Sequence, residues 1–296
     1  MAAPMDINHV PVDQETDREL LRDIQEYGLK EIRVGFSSDI LTILDDPEAR
    51  SSKIEILKDK LDKEIVLRLF AVANSVRYGK LSAGSVHTFF DVVMRLGMTY
   101  TKVLIAALSI ATLSHDAAYE AASARSFATS LLGRLFAQKM RVPEDDVRKV
   151  ELGGLFFEVG KLVIRLYHAA HPGIRASSEF IDRYHPYIGI ALVEHMELLP
   201  EFLVEIISPH TFMLEEDALS VTAIVDLAHN IVYDSFKRHG KLVIASPLPD
   251  ADGYVTSTIG SVLEDQFAAL GLGQYIEVVP MPSRRERLRA RKPQDI

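Results

Sequence analysis

The run GGLFFEVGKL (153–162) places one acid, Glu158, among Leu155, Phe156, Phe157, Val159 and Leu162. Apolar residues cover more than one face of the surrounding segment 147–167, which reads as one helix buried on most sides. An unpaired carboxylate is costly there. Two arrangements relieve that cost: ligation of a metal ion, or closure of a buried polar cluster with donors from neighbouring helices. A second polar pair, Asn74-Ser75, ends an amphipathic segment, and both side chains bond local backbone well, so the pair reads as a helix-end cap rather than a ligand contact. Other chemistry is missing. There is no Gly-rich phosphate loop, no G-x-S-x-G elbow, and no kinase or zinc-protease signature. DDPEARSSKIE (45–55) lacks the central glycine of a calcium loop, and DADGY (250–254) lacks its spacing. The cysteine count is zero, which removes disulfides, thiolate nucleophiles and Cys-ligated metal centres.

The elements that must position Glu158 are helices. Ile65, Leu69, Ala73 and Val76 recur at helical spacing, as do Phe127, Leu131 and Leu135, and then Val221, Ile224, Val225, Ala228, Ile231 and Val232. TKVLIAALSIATL (101–113) is apolar nearly all round and is expected at the centre of the fold. Breakers fall at 77–84, 140–146, 168–173, 246–253 and 271–273. Two short β-branched runs, KLVIA (241–245) and YIEVV (275–279), are candidates for one C-terminal strand pair. The class is all-α. The expected organisation is an N-terminal segment 1–15, a helical lobe 16–116, a second helical lobe 117–240 sharing its core, an extension 241–282 and a basic tail 283–296.

The chain has 296 residues, 48% of them hydrophobic, so a large core is affordable. Its net charge of −9 argues against a nucleic-acid-binding body. The charge is uneven, since within 283–292 Arg284, Arg285, Arg287, Arg289, Arg291 and Lys292 oppose only Glu286. That tail reads as a solvated segment, with contact to nucleic acid, anionic lipid or an acidic partner as the alternative. The N-terminus has no secretory pattern and the longest apolar run is too short for a membrane span, so a cytoplasmic location is expected.

Two stretches, LKDKLDKEIVLRLFAVANSVRYG (57–79) and FFDVVMRLGMTYTKVLIAAL (89–108), resemble the N-terminal half of an HDOD domain. Its Asn-Ser, Tyr-Gly and Leu-Gly positions are Asn74, Ser75, Tyr78, Gly79, Leu96 and Gly97. The resemblance continues through GGLFFEVGKLVI (153–164), HPYIGIALVEHMELLPEFLVEIISPH (185–210) and TAIVDLAHNIV (222–232). It implies an HD-like helical bundle related to the HD phosphohydrolases, in which a His, a His-Asp pair and a distal Asp hold one or two divalent metals. Against that pattern Phe157 stands for the His of the pair and Glu158 for its Asp. Arg125 or a neighbour stands for the upstream His, and His229 for the distal Asp. His185 and His210 match additional histidines of the pattern. Two departures mark a divergent member: LKEIRVGFSSDIL (29–41) replaces the usual Pro-containing entry, and no Trp precedes Leu199-Pro200.

Phenylalanine has no lone pair for a metal and arginine is not a ligand at ordinary pH. The resemblance therefore implies a non-catalytic signalling or regulatory module of bacterial type, acting through protein partners or a ligand, with no cofactor expected. The alternatives are a metal-dependent phosphohydrolase acting on a nucleotide or cyclic nucleotide, and a nucleic-acid or membrane adaptor using the tail. If the metal site has instead been remodelled, its candidate ligands are Glu158, His185, His210 and His229.

Overall fold

The computed structural model describes residues 15–35, 38–74, 85–196, 200–208, 220–246 and 259–280. Ser75, Tyr78, Gly79, His210, the 77–84 loop, most of 246–253 and the basic tail lie outside the described residues.

Helices α1 (Glu15–Gly35), α2 (Ser38–Asp45), α3 (Ser51–Lys60), α4 (Lys63–Asn74), α5 (Phe89–Leu96) and α6 (Met98–Ala111) make the first half. The second half contains α7 (Ala117–Lys139), α8 (Glu144–Phe156), α9 (Val159–Ala170), α10 (Ser178–His195), α11 (Phe202–Ile207) and α12 (Val221–His239). Strand β1 (Leu242–Ser246), helix α13 (Ile259–Ala269) and strand β2 (Ile276–Pro280) follow. The two apolar runs thus do form strands, and they pair in parallel from Leu242 opposite Ile276 to Ser246 opposite Pro280. Parallel pairing needs a crossover, and α13, packed on both strands, lies on it.

Helix α6 is the core helix its composition predicts, with every residue from Thr101 to Ile110 buried. Lys102 is buried in it too, and its ammonium bonds the Asp45 carboxylate at the end of α2. No single helix among the described residues is long and apolar enough to cross a membrane, and α5 and α6 meet at 109°. That corner is Gly97, whose φ of +87° suits a residue without a Cβ. One apolar cluster runs from Leu21 in α1 to Leu272 beyond α13, and a smaller one joins Ala137, Val147, Val150, Ile206, Ile224 and Val225 between α7, α8, α11 and α12.

Local chemistry starts and stops the helices. Asp116, Ser177 and Ser220 accept backbone N–H bonds at the starts of α7, α10 and α12. At α5, Thr88 accepts from the Asp91 N–H while Asp91 accepts from the Thr88 N–H, a reciprocal cap. Thr88→Ala is expected to cost about 1 kcal/mol, read as a fall of roughly 2–4 °C in the melting temperature. Asn74 differs from its expected local capping role. Its Oδ1 accepts the Val86 N–H at 2.8 Å, bridging the end of α4 to the entry of α5 twelve residues on.

A buried ion pair that composition does not signal ties α6, α7 and α8 together. Glu151 is fully buried; Arg134 donates to its Oε2 at 2.6 Å and the Tyr100 hydroxyl to its Oε1 at 2.9 Å. The Ser130 hydroxyl donates to the Glu151 carbonyl at 2.6 Å.

Candidate functional site

The segment expected as one helix over 147–167 is two helices, α8 and α9, broken at Phe157–Glu158. Glu158 has φ −108° and ψ 18°, outside the helical region, and its carbonyl accepts the Lys161 N–H at 2.9 Å. The two halves have different main partners: α8 packs chiefly on α7, α12 and α11, while α9 packs chiefly on α10 and also touches α1 and α7. Apolar periodicity runs straight through the break, so the sequence hides it. Contact between α9 and α10 is close enough that a Cβ on Gly160 would stand 1.9 Å from the His185 carbonyl oxygen.

The break sets the Glu158 carboxylate, 4% exposed, where α7, α9 and α12 meet. Lys161 Nζ lies 2.6 Å from Oε1, Arg125 Nε 3.4 Å from Oε2, and His229 Nε2 3.8 Å from Oε1. These are ion-pair distances off the hydrogen-bond directions, so neither carboxylate oxygen has an aligned donor among the described residues. The Phe157 ring tilts against the His229 imidazole with centroids 4.9 Å apart, covering that side. Lys161 also reaches to 3.9 Å from Asp182.

The charges follow from this packing. Burial pushes the Glu158 carboxyl up, but His229, Lys161 and Arg125 outweigh it and bring it down to about 2. Burial holds His229 below its ordinary value, so at neutral pH that imidazole is uncharged, and its charge joins those of Lys161 and Arg125 only in the acid range where Glu158 titrates. Burial, with Lys161 repulsion, pushes His185 down to about 4. Its Nδ1 lies 2.9 Å from the Ile181 carbonyl and must donate to it, leaving only Nε2 as a lone-pair donor.

Of the residues singled out from sequence, Glu158, Arg125, His229 and Phe157 come together. His185 senses the Glu158 charge but makes no ion pair with it among the described residues, and His210 lies outside them. Lys161 is the member that sequence reasoning missed, although its place three residues after Glu158 at the start of a helix is a readable signal. Among the described residues, no three His, Cys, Asp or Glu side chains form a group that could hold a metal ion.

An all-α HD-like bundle with its polar centre between α7, α9 and α12 defines the class. The HDOD domain family model matches residues 35–212, and the chain belongs to that family. The match stops short of α12, β1, α13 and β2. A crystal structure from Shewanella amazonensis SB2B, named as a candidate metal-dependent phosphohydrolase, is similar over 87% of this chain and 100% of that one, at 16% identity and a TM-score of 0.56. A candidate phosphohydrolase from the same organism aligns over 86% of this chain and 88% of its own, at 16% identity and a TM-score of 0.46. An HDOD domain protein of unknown function from Geobacter sulfurreducens aligns over 82% and 89%, at 17% identity and a TM-score of 0.43. No curated protein matches the chain.

Proposed function

We propose that this chain is a non-catalytic HDOD signalling module that acts through protein partners or a ligand, and that its HD metal site has become a structural ion cluster. The observation carrying this reading is that two permanent cations, Lys161 and Arg125, take up the Glu158 carboxylate. A divalent ion placed on Glu158 would meet both of them at short range, and their repulsion would offset the attraction of one carboxylate. The remaining donors among the described residues do not make up the deficit. Phe157 offers none, and His185 spends one nitrogen on Ile181. His229 is capable of ligation, but a hydrolytic centre needs three or more ligands with an open position. Among the described residues the donor set therefore does not fit a metal.

The similar Shewanella protein supports the fold rather than the chemistry, since identity is 16%. Membership of the HDOD family is what supports the signalling part of this reading. The test is elemental analysis of the purified protein together with assays on nucleotides and cyclic dinucleotides supplied with Mg, Mn or Ni. The expected result is no stoichiometric metal and no turnover. Turnover that disappears in the Glu158→Ala, His210→Ala double variant would overturn the reading.

A further inference from the structure

Lys161 and Arg165 follow Glu158 by three and seven residues, the spacing that keeps side chains on one face of α9. Helix α7 packs on α9 and carries Arg125. Both arginines are half-buried. Arg125 turns its Nε to Glu158, where that atom is closed to water, but its two terminal nitrogens are open to it. The Arg165 guanidinium has no hydrogen bond or ion pair among the described residues, and its nitrogens are open to water as well. Burial, then repulsion from Arg125, holds Arg165 below its ordinary value, while Glu158 and Asp116 act more weakly the other way. The two arginines thus stand within repulsion range of one another, and one of them has no counter-ion in contact.

The acids nearby do not balance this charge. Glu158 is one buried carboxylate against Lys161, Arg125 and Arg165. Asp116 is engaged as the cap of α7, its Oδ2 accepting the Ala118 N–H at 3.0 Å and the Tyr119 N–H at 3.1 Å. Asp182 reaches only to 3.9 Å from Lys161 and is 76% exposed. One turn beyond Arg165, His168 adds no negative charge: its Nε2 accepts the Ala176 N–H at 3.0 Å, and burial, then repulsion from Arg165 and Arg175, holds it below its ordinary value. Like charges held together away from bulk water repel strongly, and an anion between them turns that repulsion into attraction.

We propose that Arg125 and Arg165 bind a phosphate group between α7 and α9, at the open side of the Glu158 cluster. Two guanidinium groups offered from two helices can each take a different oxygen of a tetrahedral anion, and charge-assisted bonds of that kind are the strong ones. A dianion matches the local surplus of positive charge, whereas a single carboxylate is what Glu158 already supplies. The group can arrive as the free ion or on a phosphomonoester, since the nitrogens that would hold it are open to solvent. The inference rests on the reading of Glu158 as an ion cluster rather than a metal centre, and it extends that reading by a ligand class.

Isothermal titration calorimetry of the full chain, freed of metal by dialysis against EDTA, tests the site. The probes are inorganic phosphate, adenosine monophosphate as a phosphomonoester, and acetate as a singly charged anion, with potassium chloride matching the ionic strength. Removing metal first keeps the two readings apart: a phosphate titration that fails does not alter the metal and turnover assays, and a metal found in those assays does not supply the phosphate signal. Phosphate or the nucleotide is expected to saturate one site at least about tenfold tighter than acetate, the worth of one charge-assisted hydrogen bond. Tighter binding of the nucleotide assigns the site to a phosphomonoester, and tighter binding of phosphate assigns it to the free ion. Arg165→Met keeps an apolar stem and should weaken binding by a similar factor. In phosphate-free buffer it should leave the melting temperature unchanged or raised, because the removed guanidinium has only repulsion to lose from Arg125. No saturation by either phosphate compound, acetate binding as tightly, heat reproduced by potassium chloride, or unchanged affinity in Arg165→Met would overturn the proposal. So would a fall in melting temperature in Arg165→Met, which would show that the guanidinium serves the fold.

Discussion

Glu158→Ala is expected to cost about 3–5 kcal/mol, because it leaves buried cations without their counter-ion. At this chain length that is a fall of roughly 6–15 °C in melting temperature. The lower end is favoured, since Lys161 and Arg125 are each 16% exposed and can turn their heads towards water. Glu158→Gln keeps the shape and loses the charge, so it should retain only a small part of the stability. The cost is also predicted to depend on pH. The Glu158 pKa is depressed on folding, from its ordinary 4.5 to about 2, so the folded state resists its protonation. Its contribution is then fully present above about pH 4.5 and is lost as pH falls towards 2. His185 and His229 are also depressed, which costs the folded state stability as pH drops below their ordinary range. The measurement is therefore the difference in melting temperature between wild type and Glu158→Gln, followed from pH 7 to pH 2. It should hold steady down to about pH 4.5 and close by about pH 2. A difference that is absent at pH 7, with a stoichiometric metal lost from the variant, would return the site to metal chemistry.

Gly160→Ala is expected to be comparably damaging for a steric reason. The added methyl would sit 1.9 Å from the His185 carbonyl oxygen and 2.8 Å from its carbon, both backbone atoms that no rotamer change can move. Relief requires α9 and α10 to separate, and overpacking of that kind costs about 1–3 kcal/mol or more. The same movement would carry Glu158 away from its cations, so the loss should exceed the steric cost alone. Thermal unfolding of Gly160→Ala beside Gly173→Ala checks this, because the neighbourhood of Gly173 leaves room for a methyl. Equal melting temperatures for the two variants would show that the α9–α10 contact is not tight.

Composition and periodicity were enough for the helical class. Residues 101–110 are apolar nearly all round, and the position in a globular protein that suits such a helix is the centre, where α6 lies. The strand runs were equally legible, because β-branched residues bounded by turn formers have few other uses. Their parallel pairing was not, since it depends on where the chain returns after α13. The placing of Arg125 and His229 near Glu158 could be read by aligning residue types with the family pattern. The break at Glu158 could not. Apolar spacing runs unchanged through the Phe157–Glu158 turn, and the difference lies in what packs on each side, chiefly α7, α12 and α11 on α8 and α10 and α1 on α9. Lys161 turned inwards and Glu151 paired with Arg134 for a similar reason. A charged residue in sequence carries no label for the side it faces, and burial of its charge is decided by the partners that other helices bring within a few ångströms.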